Sequence, residues 1–219
     1  MNTDTQIKQA TKSHAAFWAI VGLVMWVIYG QLCGAGRWLS AGLAGFAFAT
    51  VIVAAQYRRD AVKIMDCTSL GYFALEIALV LLTGDRLMPR IHLPFVWGVF
   101  AIVAWITIAR RVPFATQYSR EQAPPAIWEN STFYRMNLNV SVVWALIFTI
   151  SALLGAITIY VGRILLIGII IPTAGLAFGF LFSNRYPKRF ANQFAAEIAL
   201  AGARGLNLDP TMQGAVGSQ

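Results

Sequence analysis

The segment Asp66-Cys-Thr-Ser-Leu-Gly-Tyr-Phe-Ala-Leu-Glu76-Ile-Ala-Leu-Val-Leu-Leu-Thr-Gly84 decides what kind of protein this is. As a helix rising 1.5 Å per residue it covers about 28 Å, close to the ~30 Å hydrocarbon thickness of a bilayer. One carboxylate, Glu76, stands near its middle. An ionised side chain at that depth costs roughly 3 kcal/mol or more to insert, so Glu76 must face other helices or water and is a functional candidate by default.

The remainder of the chain has the composition of a housing for that helix. Of 219 residues, 58% are hydrophobic and only 12% charged, and the mean hydropathy is +0.63. A soluble domain of this length carries far more charge. Six stretches approach or exceed spanning length, near 15–33, 39–56, 66–84, 94–109, 138–158 and 162–183. The expectation is an all-α polytopic membrane protein with a six-helix transmembrane domain over 14–184, built as three hairpins. A cytoplasmic tail is expected over 1–13, a cytoplasmic loop over 110–137, an interfacial amphipathic helix over 185–204 and a disordered tail over 205–219.

The net charge of +8 would suggest nucleic acid in a soluble protein, but its arrangement points to the membrane. On the six-span reading Lys8, Lys12, Arg58, Arg59, Lys63, Arg110, Arg111, Arg120, Arg135, Arg185, Lys188, Arg189 and Arg204 share one side. Arg37, Arg86, Arg90 and Arg163 fall on the other. This asymmetry predicts a bacterial inner-membrane protein with both termini cytoplasmic, membrane lipids as its surroundings and no nucleic-acid partner. The first span follows two lysines but is longer than the apolar core of a signal peptide, so it is read as retained.

Ala41, Gly45 and Ala49 repeat every four residues and offer a flat strip where a second helix can approach, for folding or for a homo-oligomer. Asp66 is read as an acidic helix start. Pro89 and Pro94 favour a turn or extended course through an outer loop, which puts His92 at the outer interface. His14 is predicted at the inner edge of the first span, so the two histidines cannot share a haem. Cys33 is expected near the outer face and Cys67 near the inner, too far apart for a disulfide. Metal-ligand spacings and nucleophile–base pairs are lacking, so no catalytic residue, metal or cofactor is expected.

The loop after Arg111 is rich in aromatic and charged groups. Phe114, Gln117, Tyr118, Arg120, Glu121, Trp128 and Arg135 are candidates for a docking surface or inner gate, with a membrane-surface anchor as the alternative. In the fifth span Asn137, Asn139, Ser141, Thr149 and Ser151 suit interhelical hydrogen bonds. In the sixth, Pro172-Thr173 predicts a kink that would open a small polar cavity opposite Glu76. Glu76, Tyr72, Arg163, Pro172 and Thr173 therefore make up the candidate intramembrane polar site. Arg163 would either snorkel to the outer interface or pair with Glu76. A short ungapped match of Met65–Leu75 with Met136–Leu146 hints at parallel repetition of two-span units.

Pro113, Gln117, Trp128, Asn137 and Trp144 form a proline, glutamine, then Trp-x-Asn-x-Trp progression leading into an apolar span. In this the chain resembles the intracellular septation protein A type of small bacterial inner-membrane protein. About 40 residues carry the likeness. It implies a role in cell-envelope organisation or division with an envelope or division protein as partner, and it implies neither catalysis nor a cofactor. The resulting expectation is a non-enzymatic scaffold or accessory protein of the envelope. The alternative is a small proton- or cation-coupled transporter or channel using Glu76.

Overall fold

The computed structural model describes residues 28–59, 61–161, 164–190 and 193–195. Within them the chain is helical with no strand. A helical segment at 28–34 (α1) leads to α2 (Trp38–Tyr57), α3 (Ile64–Thr83) and α4 (Met88–Ala109). After the short α5 (Ala115–Arg120) come α6 (Ser131–Val161), a π-helical segment Ile164–Ile170 and α7 (Ile171–Arg185). The tail 1–13, most of the span near 15–33, Arg163, most of 185–204 and the tail 205–219 lie outside the described residues.

Five helices are long and apolar enough to cross a membrane: Trp38–Tyr57, Ile64–Thr83, Met88–Ala109, Ser131–Val161 and Leu166–Phe190. Their outward surface is apolar, with Leu82 at 82% exposure, Leu81 at 68% and Val51 at 63%. In water that pattern would be a standing penalty of roughly 25 cal/mol per Å2, and in hydrocarbon the penalty vanishes. This is a membrane protein.

Two span boundaries move. Residues 88–93 were expected in an outer loop, yet α4 starts at Met88 with a proline in its first turn, where the missing N–H has no intrahelical partner to lose. Pro94 lies inside the helix. Likewise α6 begins at Ser131, so 131–137 belong to the helix and not to the loop. At the start of α3 the cap position is Lys63, and Asp66 supplies the acidic first turn expected. Asp66 accepts a 2.6 Å hydrogen bond from Gln56 Nε2. The exposed N–H of Ile64 is taken instead by Gln117 Oε1 of α5, at 2.9 Å.

The main packings are α2 against α3 and α4 against α6, with α3 and α4 touching less. Successive hairpins therefore interlock more closely than the arms of the α3–α4 hairpin do. The small residues explain both contacts. Ala41, Gly45 and Ala49 are buried, and the Phe73 ring lies where a Cβ on Gly45 would come within 2.3 Å of it. A Cβ on Gly155 would meet Pro94 N at 2.8 Å and Leu93 C at 2.9 Å, so α6 rides directly on the α4 backbone at its proline. The strip predicted on α2 is used inside the fold.

At the basic end the loop folds back over the helix ends. Pro113, Phe114 and Ala115 are buried. Ser141 Oγ accepts the N–H of Ala115 at 3.1 Å. Ser119 Oγ donates to Asn137 Oδ1 at 2.5 Å, and Asn137 Nδ2 donates to the Phe133 carbonyl at 2.9 Å. Phe190 and Phe194 pack with Ile127, Phe133 and Met136. That part of the expected amphipathic segment covers the protein's own basic end.

Gly155→Ala should destabilise the fold by about 1–3 kcal/mol, because its new methyl meets backbone that cannot rotate away. Gly71→Ala, exposed and with nothing within 4 Å, should be neutral or stabilise by up to about 1 kcal/mol. Thermal unfolding in detergent, followed by tryptophan fluorescence, separates the two.

Candidate functional site

Glu76 is fully enclosed, at 0% exposure. Its surroundings come from distant parts of the chain. The Tyr29 hydroxyl of α1 donates to Glu76 Oε1 at 2.8 Å. The same hydroxyl lies 2.7 Å from Tyr72 Oη and 3.2 Å from His92 Nδ1, and Tyr72 Oη is 3.5 Å from that nitrogen. A single phenol thus links α1, α3 and α4. Tyr72 precedes Glu76 by one helical turn, so one face of α3 presents both groups.

Cys33, one turn on from Tyr29, completes the cluster. Its Sγ, a Glu76 carboxylate oxygen and a His92 ring nitrogen all lie within 4.8 Å of one another. Trp38 covers His92, the ring centres 5.1 Å apart. On the α2 side Gly42 abuts this face of α3, where a Cβ would stand 3.0 Å from Ile77 Cγ1 and 3.7 Å from Glu76 Oε2. That oxygen is buried with no hydrogen-bond partner among the described residues. An acceptor left so in a low-dielectric interior costs roughly 1–3 kcal/mol, more when charged.

Along α3 the carboxylate stands within about 4 Å of the helix middle, while the imidazole is nearer the start of α4. Glu76 lies seven residues before the end of α3 and His92 four after the start of α4, which places them about 10 Å and 6 Å below those helix ends. Toward the opposite face the way is filled by Tyr72 and Phe73, both fully buried, with Phe73 seated on Gly45. A cleft of about 230 Å3 lined by Ile28, Tyr29, Ala44, Gly45 and Phe48 adjoins the Tyr29 side.

Of the residues expected to form the intramembrane site, the structure brings Tyr72 and Glu76 together. Arg163 is outside the described residues. Pro172 is buried at the first turn of α7, directly after the π-helical segment, whose wider turn accommodates a residue with no N–H. Thr173 is exposed. The main packing of α7 is on α6, where Gly179 meets Trp144 and Ile147, while α3 packs on α2 and α4. Pro172 is therefore placed with a different helix pair from Glu76. Tyr29, Cys33 and His92 were not selected as site residues. The one signal available was that Cys33 and His92 were both expected toward the same face.

The inner loop residues also have defined places. Phe114 is buried and Gln117 caps α3. Tyr118 lies under the Lys63 ammonium, 4.8 Å from its ring centre, and burial raises its phenol above the usual tyrosine range. Glu121 pairs with Lys63 at 3.0 Å, an exposed contact worth at most about 1 kcal/mol. The Arg120 guanidinium stands 5.3 Å from the Trp128 ring, whose Nε1 donates to the Ala123 carbonyl at 2.9 Å. Arg120, Glu121 and Arg135 are exposed. The docking candidates thus divide into a buried clamp and an outward rim.

Comparison with protein-family models, curated proteins and solved structures finds no match to this chain.

The Tyr29–Glu76 bond makes the two residues thermodynamically coupled. Tyr29→Phe should lower stability by about 1–3 kcal/mol, because it leaves both carboxylate oxygens without a donor. Replacing the acceptor as well, in Tyr29→Phe/Glu76→Met, should recover part of that loss. Additive losses across the double-mutant cycle, measured by thermal unfolding, would show that the bond carries no such coupling.

Proposed function

We propose that the protein is a small membrane carrier that captures a cation at Glu76. The observation that carries this reading is a completely enclosed carboxylate with one oxygen unpaired, set in a polar cluster inside an otherwise apolar helical assembly. An acceptor in that setting attracts a positive ligand far more strongly than it would in water. Among the described residues no lysine or arginine forms an ion pair with it, so the charge it calls for is left to a ligand.

Access is from the face where α1 joins α2 and α3 joins α4, since the cluster is only about 6–10 Å below those ends. The lysine and arginine asymmetry supports reading that face as the outside of a bacterial inner membrane and the clamped, basic end as cytoplasmic. Phe73 then serves as the inner gate. Its ring must leave Gly45 before an ion held at Glu76 can move on. Tyr29 and Tyr72 supply hydroxyls that can turn between donating to a carboxylate and accepting from a protonated group.

The exposed rim of Arg120, Glu121 and Arg135 beside the half-buried Trp128 favours a second reading, a septation-like envelope scaffold that meets a partner at its cytoplasmic end. Its contact area is confined to that rim, because Phe114, Gln117 and Tyr118 are committed to the fold.

The two readings separate in proteoliposomes. Wild-type protein should carry protons or metal cations down a gradient, and Glu76→Gln, confirmed as folded by its helical circular dichroism, should lose tenfold or more, equivalent to about 1.4 kcal/mol or more of lost interaction. Absence of flux from wild type, with a photocrosslinker at Trp128 capturing a protein in cells, would overturn the carrier and favour the scaffold.

A further inference from the structure

We propose that Cys33, Glu76 and His92 form a binding site for a divalent transition-metal ion of the zinc class. The inference deepens the cation reading of Glu76 and rests on it for the carboxylate, while adding two ligands and the identity of the ion. Three donors of three chemical kinds converge to within 4.8 Å from α1, α3 and α4. Cys33 and Glu76 are buried and His92 is half-buried. An independent pointer is Glu76 Oε2, enclosed beside Gly42 with no hydrogen-bond partner among the described residues.

Donor chemistry selects the ion. Thiolate, imidazole and carboxylate are the ligands that zinc takes, and cobalt(II) accepts the same set. Magnesium and calcium call for six or more oxygens and would leave sulfur and nitrogen unused. Charge selects it a second time. A divalent ion with one thiolate, one carboxylate and a neutral imidazole sums to zero, which a low-dielectric interior demands. A monovalent ion on the same three groups would leave one negative charge buried. On binding, the Cys33 thiol proton leaves to solvent and the metal takes its place on sulfur.

The geometry needs a small adjustment. Tetrahedral donors at bonds of ~2.0–2.3 Å stand about 3.3–3.8 Å apart. Closing from the 4.8 Å limit of the cluster takes about 1 Å, within the scope of side-chain rotation. Tyr29 holds two of the donors in position, bonded to Glu76 Oε1 at 2.8 Å and lying 3.2 Å from His92 Nδ1. Trp38 against the imidazole limits its rotation. Tyr29 is therefore a positioning residue for the metal.

Full-length protein, purified in detergent without a histidine tag and titrated with cobalt(II), tests this directly. The expected result is about one ion per chain, with the near-ultraviolet thiolate-to-cobalt band and the intense visible bands of a tetrahedral ion. Cys33→Ser should abolish the thiolate band, and Glu76→Gln and His92→Ala should each weaken binding by about tenfold or more. Cys67→Ser removes the exposed cysteine near the basic end of α3 and should change nothing. A wild-type titration without the thiolate band, or with well under one ion bound, overturns the site whatever the variants do. So does a band that persists in Cys33→Ser. Cobalt binding with the full signature but no flux in liposomes supports the metal site and overturns the carrier. Glu76-dependent flux of protons or monovalent ions without a cobalt spectrum does the reverse.

Discussion

Everything around the enclosed carboxylate depends on one hydrogen bond, from the Tyr29 hydroxyl to Glu76 Oε1. A carboxylate at 0% exposure inside an apolar bundle has to be met by donors or it stays a liability of several kcal/mol. Among the described residues α1 supplies the donor. That requirement fixes the end of α1 over α3, and the turn after it follows. Gly36, at φ +71°, takes the left-handed position that closes α1, its N–H reaching the Cys33 carbonyl while that of Arg37 reaches Leu32. The chain can then reverse into α2, with Cys33 beside the phenol and Trp38 over His92.

The same site depends on close helix approach, because a phenol reaches only so far. Gly42 and Gly45 let α2 approach the face of α3 that carries Phe73, Glu76 and Ile77. Gly155 lets α6 lie on the α4 backbone just past His92. Between helices in lipid there is no hydrophobic gain to draw on, so such contacts rest on dispersion and a few polar bonds. Two of those polar bonds reinforce the α4–α6–α7 side, from Trp105 Nε1 to Thr149 Oγ1 at 3.0 Å and from Trp144 Nε1 to Ser183 Oγ at 2.9 Å. Backbone proximity set by glycine and side-chain reach set by tyrosine together define the cluster.

How much could be read in the sequence follows from the kind of signal each feature leaves. Spans are written in long apolar runs, and α2, α3, α4, α6 and α7 lie where those runs lie. Their ends were harder. Pro89 and Pro94 read as loop because proline usually stops a helix, and only the close packing at Gly155 shows why α4 continues through the second of them. Glu76 was legible because a lone charge in an apolar run has one physical meaning. Cys33 and His92 were not, since they stand 43 and 16 residues from Glu76 in sequence and a metal-type grouping assembled by helix packing has no spacing to recognise. The motif residues Gln117, Asn137 and Trp144 read as marks of a family. In the fold each closes a gap between elements: Gln117 caps α3, Asn137 joins α6 to α5, and Trp144 joins α6 to α7.

The two ends of the molecule are built on opposite principles, and this bears on what the protein can do. The basic end is tied by many modest contacts, side chains capping backbone and aromatics stacked on cations, and there the Thr116 hydroxyl is buried without a hydrogen-bond partner among the described residues. The other end concentrates four ionisable or hydroxyl groups and a thiol in one enclosure and leaves Glu76 Oε2 without a donor among the described residues. A chain selected only for stability would fill such a position with a leucine, since burying polar groups gains nothing over apolar packing and risks a large penalty when one is unmet. Gathering glutamate, histidine, cysteine and two tyrosines at a single point is therefore a cost that apolar packing would not carry. At the basic end the clamp ties α3 to α5 through Gln117 and Ile64, and α5 to α6 through Ser119 and Asn137.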